Sequence, residues 1–238
     1  MKWINKWICL SLLIAVSCVS GCGKTSAAIE QPYDVYATAA DFGLSLNGTA
    51  EAKSYFASDL CVSEDVAIGT DSTDSQVAEG AGTFNLETNT VVYAKNLYER
   101  LYPASTTKIL TAYIALKYCD DLDAMVTVSE NAVNQASDSS VCNLKAGDVI
   151  RLRDLLYGLM LRSGNDAAVA IAEYISGDVD SFAALMNQEA AAMGATRSHF
   201  VNPNGLPDEN HYTCVYDMYL IFSNAIKNDT FVSIIGTT

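Results

Sequence analysis

The sequence is poor in basic residues. Only 14 lysines and arginines stand against 28 aspartates and glutamates, which gives a formal net charge of −14. A surface with this charge repels phosphate backbones and offers no basic stripe, so we do not expect a nucleic-acid partner. Half of the 238 residues are hydrophobic, so the chain can bury a substantial core and disorder is not expected.

The sequence also lacks an apolar run long enough for a permanent membrane-spanning helix, which needs about 20 apolar residues. The longest run at the start of the chain covers residues 7–19 and follows two basic residues, Lys2 and Lys6. A short basic head before such a run is typical of an export signal. We therefore expect an exported, extracytoplasmic protein.

The end of this run, Val19-Ser20-Gly21-Cys22, resembles the lipobox of bacterial lipoproteins. The resemblance implies that residues 1–21 are a signal peptide and that Cys22 is diacylated. The lipid would then anchor the protein to the outer face of the cytoplasmic membrane. Ordinary cleavage near Ser26-Ala27-Ala28 is the alternative, and it would discard Cys22.

The seven cysteines include no CxxC pair, so their spacing does not suggest a zinc site. We expect no metal and no cofactor. Four cysteines lie beyond the signal region: Cys61, Cys119, Cys142 and Cys214. In an exported domain they could form two disulfides in three pairings, but we favour free thiols that pack as small core residues.

The rest of the chain divides into a tether and one folded domain. Residues 22–59 are rich in small and polar residues and predict a loosely ordered lead-in, whereas residues 60–238 predict the folded domain. Short segments at 60–68, 77–86 and 90–94 favour strands, and Glu87-Thr88-Asn89 predicts a hairpin turn between the last two.

Helical patterns follow the strands. They cover residues 105–118, 151–162, 166–175, 180–193 and 213–227. We expect Ser105 and Asp180 to cap the first and fourth of these helices, and Gly194 to end the fourth. Strands followed by many helices, with no internal repeat, predict an α+β fold in which an antiparallel sheet packs against a helical cluster.

Ser105 and Lys108 are the first candidates for chemistry. They lie three residues apart at a predicted helix start, so both side chains project from one face, one turn apart. A partly buried lysine of lowered pKa can take the serine proton, and the positive end of the helix stabilises a developing alkoxide. The alternative is a capping serine followed by a solvated lysine.

A second pattern, Ser-x-Asn, occurs at 45–47, 129–131 and 163–165. The pattern alone is weak, since short polar triplets also turn the chain between helices. Only the third match lies between an apolar helix, 155–161, and an alanine-rich one. We therefore select Ser163 and Asn165.

Longer stretches around these residues resemble the serine D-Ala-D-Ala carboxypeptidase family (peptidase S11, the low-molecular-mass penicillin-binding proteins). They are "KN…ER…PASTTK" at 95–108, "ILTAYIAL" at 109–116 and "LLYGLMLRSGNDAA" at 155–168. Further matches at 144–156, 182–206 and 211–218 extend the resemblance to roughly residues 60–230.

The resemblance implies a β-lactamase/transpeptidase-like fold and removal of the terminal D-alanine from peptidoglycan stem peptides, with β-lactam antibiotics as covalent inhibitors. Ser105 would be the acylated nucleophile and Lys108 its general base. Ser163 would relay protons between the lysine and the leaving group. Asn165 would hydrogen-bond the substrate backbone and the lysine.

The sequence departs from the family in two places. Asn204 replaces a histidine that many relatives carry before Gly-Leu, and we expect His199 and His211 to be structural rather than members of a Ser-His-Asp triad. The family's Lys-Thr-Gly motif is absent, because the only Lys-Thr, at 24–25, is followed by Ser26 in the tether.

In relatives the Lys-Thr-Gly strand follows the segment that matches 211–227, so we expect the C-terminal part of the sheet to be missing and catalysis to be weakened. Two alternatives stay open. One is a catalytically silent cell-wall-binding lipoprotein of the same fold. The other is a β-lactamase, although class A enzymes carry Ser-Asp-Asn and a deacylating glutamate.

Overall fold

The computed structural model describes residues 57–69 and 78–237. The predicted signal peptide, Cys22, almost all of the tether and the Ser-x-Asn match at 45–47 lie outside these residues. In the described part of the chain, no helix is both long and apolar enough to cross a membrane.

The predicted hairpin forms the first sheet of the domain. Strand β1 (Ala81–Asn85) pairs antiparallel with strand β2 (Thr90–Lys95). The turn forms because the Asn85 side-chain oxygen accepts the backbone N–H groups of Glu87 and Thr88, at 2.9 and 3.0 Å. The hairpin prediction is therefore confirmed.

The strand predicted at 60–68 is wrong. Of these residues only Ile68 pairs with the sheet, through an isolated bridge to Ala94. The segment instead runs across the domain, where the Cys61 N–H donates to the Tyr219 hydroxyl and the Cys61 carbonyl accepts from the Tyr216 hydroxyl. Side chains satisfy this backbone, so it needs no strand partner.

The remaining elements form a helical cluster with a second small sheet. They are α1 (Thr107–Tyr118), β3 (Met125–Thr127), α2 (Glu130–Val133), β4 (Val149–Arg151), α3 (Leu152–Leu161), α4 (Asn165–Ser176), α5 (Val179–Ala192), α6 (Val215–Ala225) and α7 (Asp229–Ile235). The five predicted helices correspond to α1 and to α3 through α6. Strands β3 and β4, which pair antiparallel, and helices α2 and α7 were not predicted.

Two predicted caps are wrong. The N-cap of α5 is Asp178 rather than Asp180, because the Asp178 carboxylate accepts the Ser181 N–H at 2.7 Å. Ser105 does not cap α1, because a 3₁₀ turn (Ala104–Thr106) leads into that helix with no side-chain cap. The predicted end of α5 is confirmed, since Gly194 has φ +84°.

Helix α4 is the centre of the core. Its first eight residues are all buried, and six of them are apolar. The four alanines among these eight let neighbouring helices approach closely, so α4 packs against α1, α3 and α5. A second cluster joins α1, α5 and α6 to the hairpin, where Phe84 stacks on Tyr219 with ring centroids 4.2 Å apart.

All four cysteines of the described domain are free thiols. Cys61 and Cys214 are fully buried, which confirms the interpretation as small core residues. Cys119 and Cys142 are only partly buried.

Candidate active site

Ser105 sits on the tight turn that opens α1. The residue before it, Ala104, has φ +48°, a left-handed conformation that costs a non-glycine residue about 1 kcal/mol or more. The turn is held by Thr106, whose hydroxyl and N–H both donate to the Pro103 carbonyl oxygen, at 2.7 and 3.2 Å. The strained backbone leaves Ser105 exposed at the helix start.

A glycine on a distant loop makes this turn possible. Gly205 has φ +85°, and a Cβ at this position would lie 1.8 Å from the Ala104 carbonyl oxygen. No side chain fits in that space. The loop around Gly205 therefore buttresses the turn that presents Ser105.

Lys108 lies one helical turn below Ser105 and is almost fully buried, with 2% of its surface exposed. Its Nζ lies 3.1 Å from Ser105 Oγ and 2.7 Å from the Asn204 carbonyl oxygen. Burial lowers the pKa of Lys108 from its ordinary value to about 8. The amine can therefore exist as a neutral base near physiological pH.

Ser163 reaches the same oxygen from the other side. It follows the last turn of α3 with φ +54°, where the Gly158 carbonyl oxygen accepts the N–H groups of both Arg162 and Gly164. From this left-handed position its hydroxyl donates to Ser105 Oγ at 2.9 Å. Ser105 Oγ thus stands between an amine and a second hydroxyl.

Asn165 begins α4 next to this group and is buried, with 4% of its surface exposed. Its backbone N–H donates to the Ser140 carbonyl oxygen at 2.8 Å. Within the described residues its amide makes no direct hydrogen bond to Lys108, which the Asn204 carbonyl holds instead. The structure therefore places Asn165 two residues after Ser163, at the start of α4, without pairing its amide with the lysine.

Comparison with known proteins identifies the family of this chain. The model of the family described as D-alanyl-D-alanine carboxypeptidase matches residues 69–237. The chain belongs to this family.

Its predicted α+β, transpeptidase-like fold is confirmed by solved DD-peptidases. The structure of D-alanyl-D-alanine carboxypeptidase DacD from Francisella tularensis, 36% identical, covers 73% of this chain and 43% of its own, with a TM-score of 0.64. A variant of the Streptomyces K15 DD-transpeptidase is also 36% identical. The match covers 68% of this chain and 65% of the transpeptidase, with a TM-score of 0.65.

Curated carboxypeptidases give the same result. D-alanyl-D-alanine carboxypeptidase DacF of Bacillus subtilis is 35% identical over 164 residues, which are 67% of this chain and 42% of the relative. The Streptomyces sp. strain K15 carboxypeptidase is 37% identical over 169 residues, 67% of this chain and 58% of the relative. The chain thus spans less than two thirds of the length of these relatives.

Asp166 holds the loop that packs at the start of α4, and it was not singled out from the sequence as a site residue. Its carboxylate is 2% exposed and accepts the backbone N–H groups of Cys142, at 2.9 and 3.0 Å, and of Leu144, at 3.0 Å. These bonds fasten the loop that carries Ser140 to the start of α4. The only available signal was the position of an acidic residue directly after Ser-Gly-Asn.

His211 was expected to be structural and makes no contact with Ser105. Its imidazole is 1% exposed, with Nε2 2.9 Å from Thr107 Oγ1 and Nδ1 accepting the Val201 N–H at 3.1 Å. An accepting Nδ1 requires the proton on Nε2, which donates to Thr107. Burial lowers the pKa of His211 to about 4, so the ring is neutral at physiological pH. The other histidine, His199, is exposed.

The competing Ser-x-Asn match at 129–131 has a different role. The Ser129 side chain accepts the Ala132 N–H at 2.9 Å as the N-cap of α2 and donates to Glu173 at 2.5 Å. Of the two matches in the described chain, only Ser163 reaches Ser105.

Proposed function

We propose that this chain carries the acylation site of a D-alanyl-D-alanine carboxypeptidase, which removes the terminal D-alanine from peptidoglycan stem peptides. The observation that carries the proposal is the pair of hydrogen bonds at Ser105 Oγ, 3.1 Å from Lys108 Nζ and 2.9 Å from Ser163 Oγ. Membership of the family supports the choice of substrate, since the two curated relatives described above are named as D-alanyl-D-alanine carboxypeptidases.

In the acylation step, neutral Lys108 takes the hydroxyl proton of Ser105 while the serine oxygen attacks the carbonyl carbon of the penultimate D-alanine. The carbonyl electrons move onto its oxygen and form a tetrahedral oxyanion. The N-terminal end of α1 favours negative charge at this position. The helix that orients Ser105 also stabilises the charge that its attack creates.

Collapse of the tetrahedral intermediate requires a proton on the leaving nitrogen. Lys108, now an ammonium, returns its proton through the Ser163 hydroxyl, the C–N bond breaks, and D-alanine departs as a free amine. An ester on Ser105 remains. Water then attacks the ester with Lys108 again as base, which releases the shortened peptide. Asn165 is assigned to hold the substrate backbone by its amide.

Covalent labelling with a β-lactam tests the nucleophile. A labelled penicillin should add one acyl group to the chain, and peptide mapping should place it on the segment that contains Ser105. Ser105→Ala should lose the adduct, and Lys108→Ala should slow its formation by at least about 100-fold. An adduct on Ser105→Ala, or full-rate acylation of Lys108→Ala, would contradict the assignment.

The Ser-x-Asn triplet at 129–131 provides a matched control for the proposed proton relay through Ser163. Ser163→Ala removes the hydroxyl 2.9 Å from Ser105 Oγ, whereas Ser129→Ala removes a hydroxyl that caps α2. We expect slower acylation only in Ser163→Ala. A lower unfolding midpoint with an unchanged acylation rate is expected in Ser129→Ala, since loss of an N-cap costs about 1 kcal/mol.

The same assays separate the two alternatives. A silent cell-wall-binding protein would retain stem peptides in a pull-down but form no penicillin adduct. A β-lactamase would release penicilloate faster than it cleaves a D-Ala-D-Ala peptide. Our proposal requires the peptide to be the better substrate and the penicillin adduct to persist.

The location of the protein is a separate part of the proposal. We infer export and anchoring by lipid on Cys22 at the outer face of the cytoplasmic membrane, because two acyl chains hold a protein stably where one is marginal. Labelled palmitate should enter the wild type and Cys18→Ala but not Cys22→Ala. Unlabelled secreted protein beginning near Ala28 would support ordinary cleavage instead.

A further inference from the structure

An open, polar cavity of about 510 Å³ lies beside the turn that carries Ser105. It is lined by Arg100, Leu101, Tyr102, Glu209, Asn210 and Tyr212. None of these residues takes part in the chemistry assigned above. Two backbone segments form the cavity, and they are held together by the Leu101 and Thr213 backbones, which exchange hydrogen bonds of 2.8 and 2.9 Å.

Arg100 is the cationic residue among those that line this cavity, which also include the acidic Glu209, and its guanidinium is held in place on two sides. Its guanidinium carbon lies 3.5 Å from the centroid of the Tyr212 ring, and its Nη2 donates to the Glu209 carbonyl oxygen. A stacked guanidinium keeps its in-plane N–H donors available. Arg100 is therefore positioned before any ligand arrives.

The guanidinium has no acidic partner in the described part of the chain. Glu209 approaches Arg100 with its carbonyl, and no described carboxylate lies within 4.0 Å of it. This is notable in a chain with twice as many acidic as basic residues. A fork of N–H donors without a counter-ion matches a carboxylate, which it binds through paired charge-assisted hydrogen bonds.

The chain connects this cavity to the reacting group. Tyr102 precedes Ser105 by three residues, and Arg100 precedes Ser105 by five. The Cα atoms of Tyr102 and Arg100 therefore lie within about 11 and 18 Å, respectively, of the Ser105 Cα. On the other wall, the loop that ends at Glu209 and Asn210 begins at Asn204, whose carbonyl holds Lys108. A peptide bound at Ser105 covers these distances with three to five residues.

We infer that Arg100, stacked on Tyr212, binds a carboxylate on the part of the peptide substrate that does not react. The inference rests on the proposed function, because it takes a peptide at Ser105 as given. Arg100 would select among peptides that share the D-Ala-D-Ala end. It would do so by the charge of a group upstream of the cleaved bond.

Binding to a chain that cannot react tests the inference. In the Ser105→Ala background, two synthetic peptides ending in D-Ala-D-Ala are compared by calorimetry. They differ only in a carboxylate or a carboxamide on the residue two positions before the penultimate D-alanine. We expect about tenfold tighter binding of the carboxylate peptide. The difference should shrink as salt is added.

Arg100→Gln should abolish this preference, and Arg100→Lys should keep only part of it, because an ammonium lacks the planar fork. Arg197→Gln is the matched control, since Arg197 is also an exposed arginine over a tyrosine, 5.2 Å from the centroid of the Tyr98 ring. It should leave the preference unchanged. Unfolding midpoints show whether each variant is folded.

Equal binding of the two peptides by the Ser105→Ala chain overturns the inference, as does a preference that survives in folded Arg100→Gln. Neither result bears on the proposed function, which depends on penicillin acylation of the Ser105 chain. Failure of that acylation, with the carboxylate preference intact, would instead remove the proposed chemistry and leave the binding site.

Discussion

The Nζ of Lys108 lies 2.7 Å from the carbonyl oxygen of Asn204, a residue 96 positions later in the chain. A backbone carbonyl orients the amine but carries no full charge that would stabilise an ammonium. Burial disfavours the charged form of the amine and lowers the pKa of Lys108 to about 8. The geometry therefore favours a lysine that can lose its proton.

The acylation rate should follow the deprotonation of Lys108. With a pKa of about 8, about a tenth of the amine is neutral at pH 7 and about half at pH 8. We expect the rate of penicillin acylation to rise from pH 6 and to level off above pH 9. Stopped-flow measurement across this range gives the profile. Lys145→Ala, which removes an exposed lysine, should leave the profile in place, whereas a flat profile in the wild type would exclude Lys108 as the base.

Replacement of Gly205 should disturb Ser105 from a distance. In Gly205→Ala a left-handed backbone, φ +85°, acquires a Cβ 1.8 Å from the Ala104 carbonyl oxygen, so the turn before Ser105 must move. Gly147→Ala is the control, because Gly147 has the same φ but nothing within 4 Å of the added Cβ. Each variant has the backbone strain, about 1 kcal/mol, but only Gly205→Ala has the clash.

We expect a larger loss of stability in Gly205→Ala, together with a fall in acylation rate of about 100-fold, since small displacements of a nucleophile are costly. Gly147→Ala should acylate at the wild-type rate. Thermal unfolding and penicillin labelling measure the two effects. Equal behaviour of the two variants would show that the turn does not depend on this contact.

Stability should fall on acidification because His211 is buried as a neutral ring. Its folded-state pKa of about 4 lies below the ordinary value of 6.5, so the unfolded chain binds more protons between these values. The contribution of His211 is complete above pH 6.5 and is lost as the pH falls towards 4. Protonation would also remove the acceptor for the Val201 N–H. The charged groups that act on the ring are Asp208, which raises its pKa, and His199, which lowers it.

Denaturant unfolding at several pH values between 4 and 7 checks this prediction. His211→Gln should flatten the dependence over this interval, although it lowers stability overall. His199→Gln should keep it, because this ring is exposed. An unchanged slope in folded His211→Gln would assign the acid sensitivity to other groups.

Local patterns in the sequence predicted the parts of the fold that depend on local interactions. The long helices follow apolar periodicity, and the hairpin follows its turn. Strands β3 and β4 have three residues each, too few to show a period. The choice between Asp178 and Asp180 as a cap also lay beyond the sequence, since two acidic residues stand two positions apart at the start of the same helix.

The residues of the candidate site also divide into those that sequence spacing predicts and those that only the tertiary fold brings together. Ser105 and Lys108 are one turn apart on a single helix, so sequence spacing alone brings them together. The Asn204 carbonyl reaches Lys108 only through the tertiary fold, and any residue type could supply that oxygen. The buried carboxylate of Asp166 is likewise defined by the loop it holds rather than by a spacing.

The Cys142 side chain leaves too little room for an alanine at position 158, where alanine would otherwise favour the helix. Gly158 lies inside α3, where alanine would stabilise the helix by about 1 kcal/mol, but an added Cβ would lie 2.7 Å from the Cys142 Sγ. The next atoms, the Cβ atoms of Cys142 and Ala167, are both 3.8 Å away, an ordinary contact. Burial raises the pKa of Cys142 to about 11, so removal of this thiol removes no charge at neutral pH.

We therefore expect Gly158→Ala to be neutral or destabilising in the wild type but to raise the unfolding midpoint by about 2–4 °C in a Cys142→Ala background. A double-mutant cycle of thermal unfolding measures this coupling. Penicillin acylation of the double variant should keep its rate, because the backbone carbonyl at 158 still accepts the Gly164 N–H next to Ser163. Additive effects of the two substitutions would show that the sulfur is not the obstacle. The helix would then have to shift around the new methyl group, and acylation through Ser163 would fall with it.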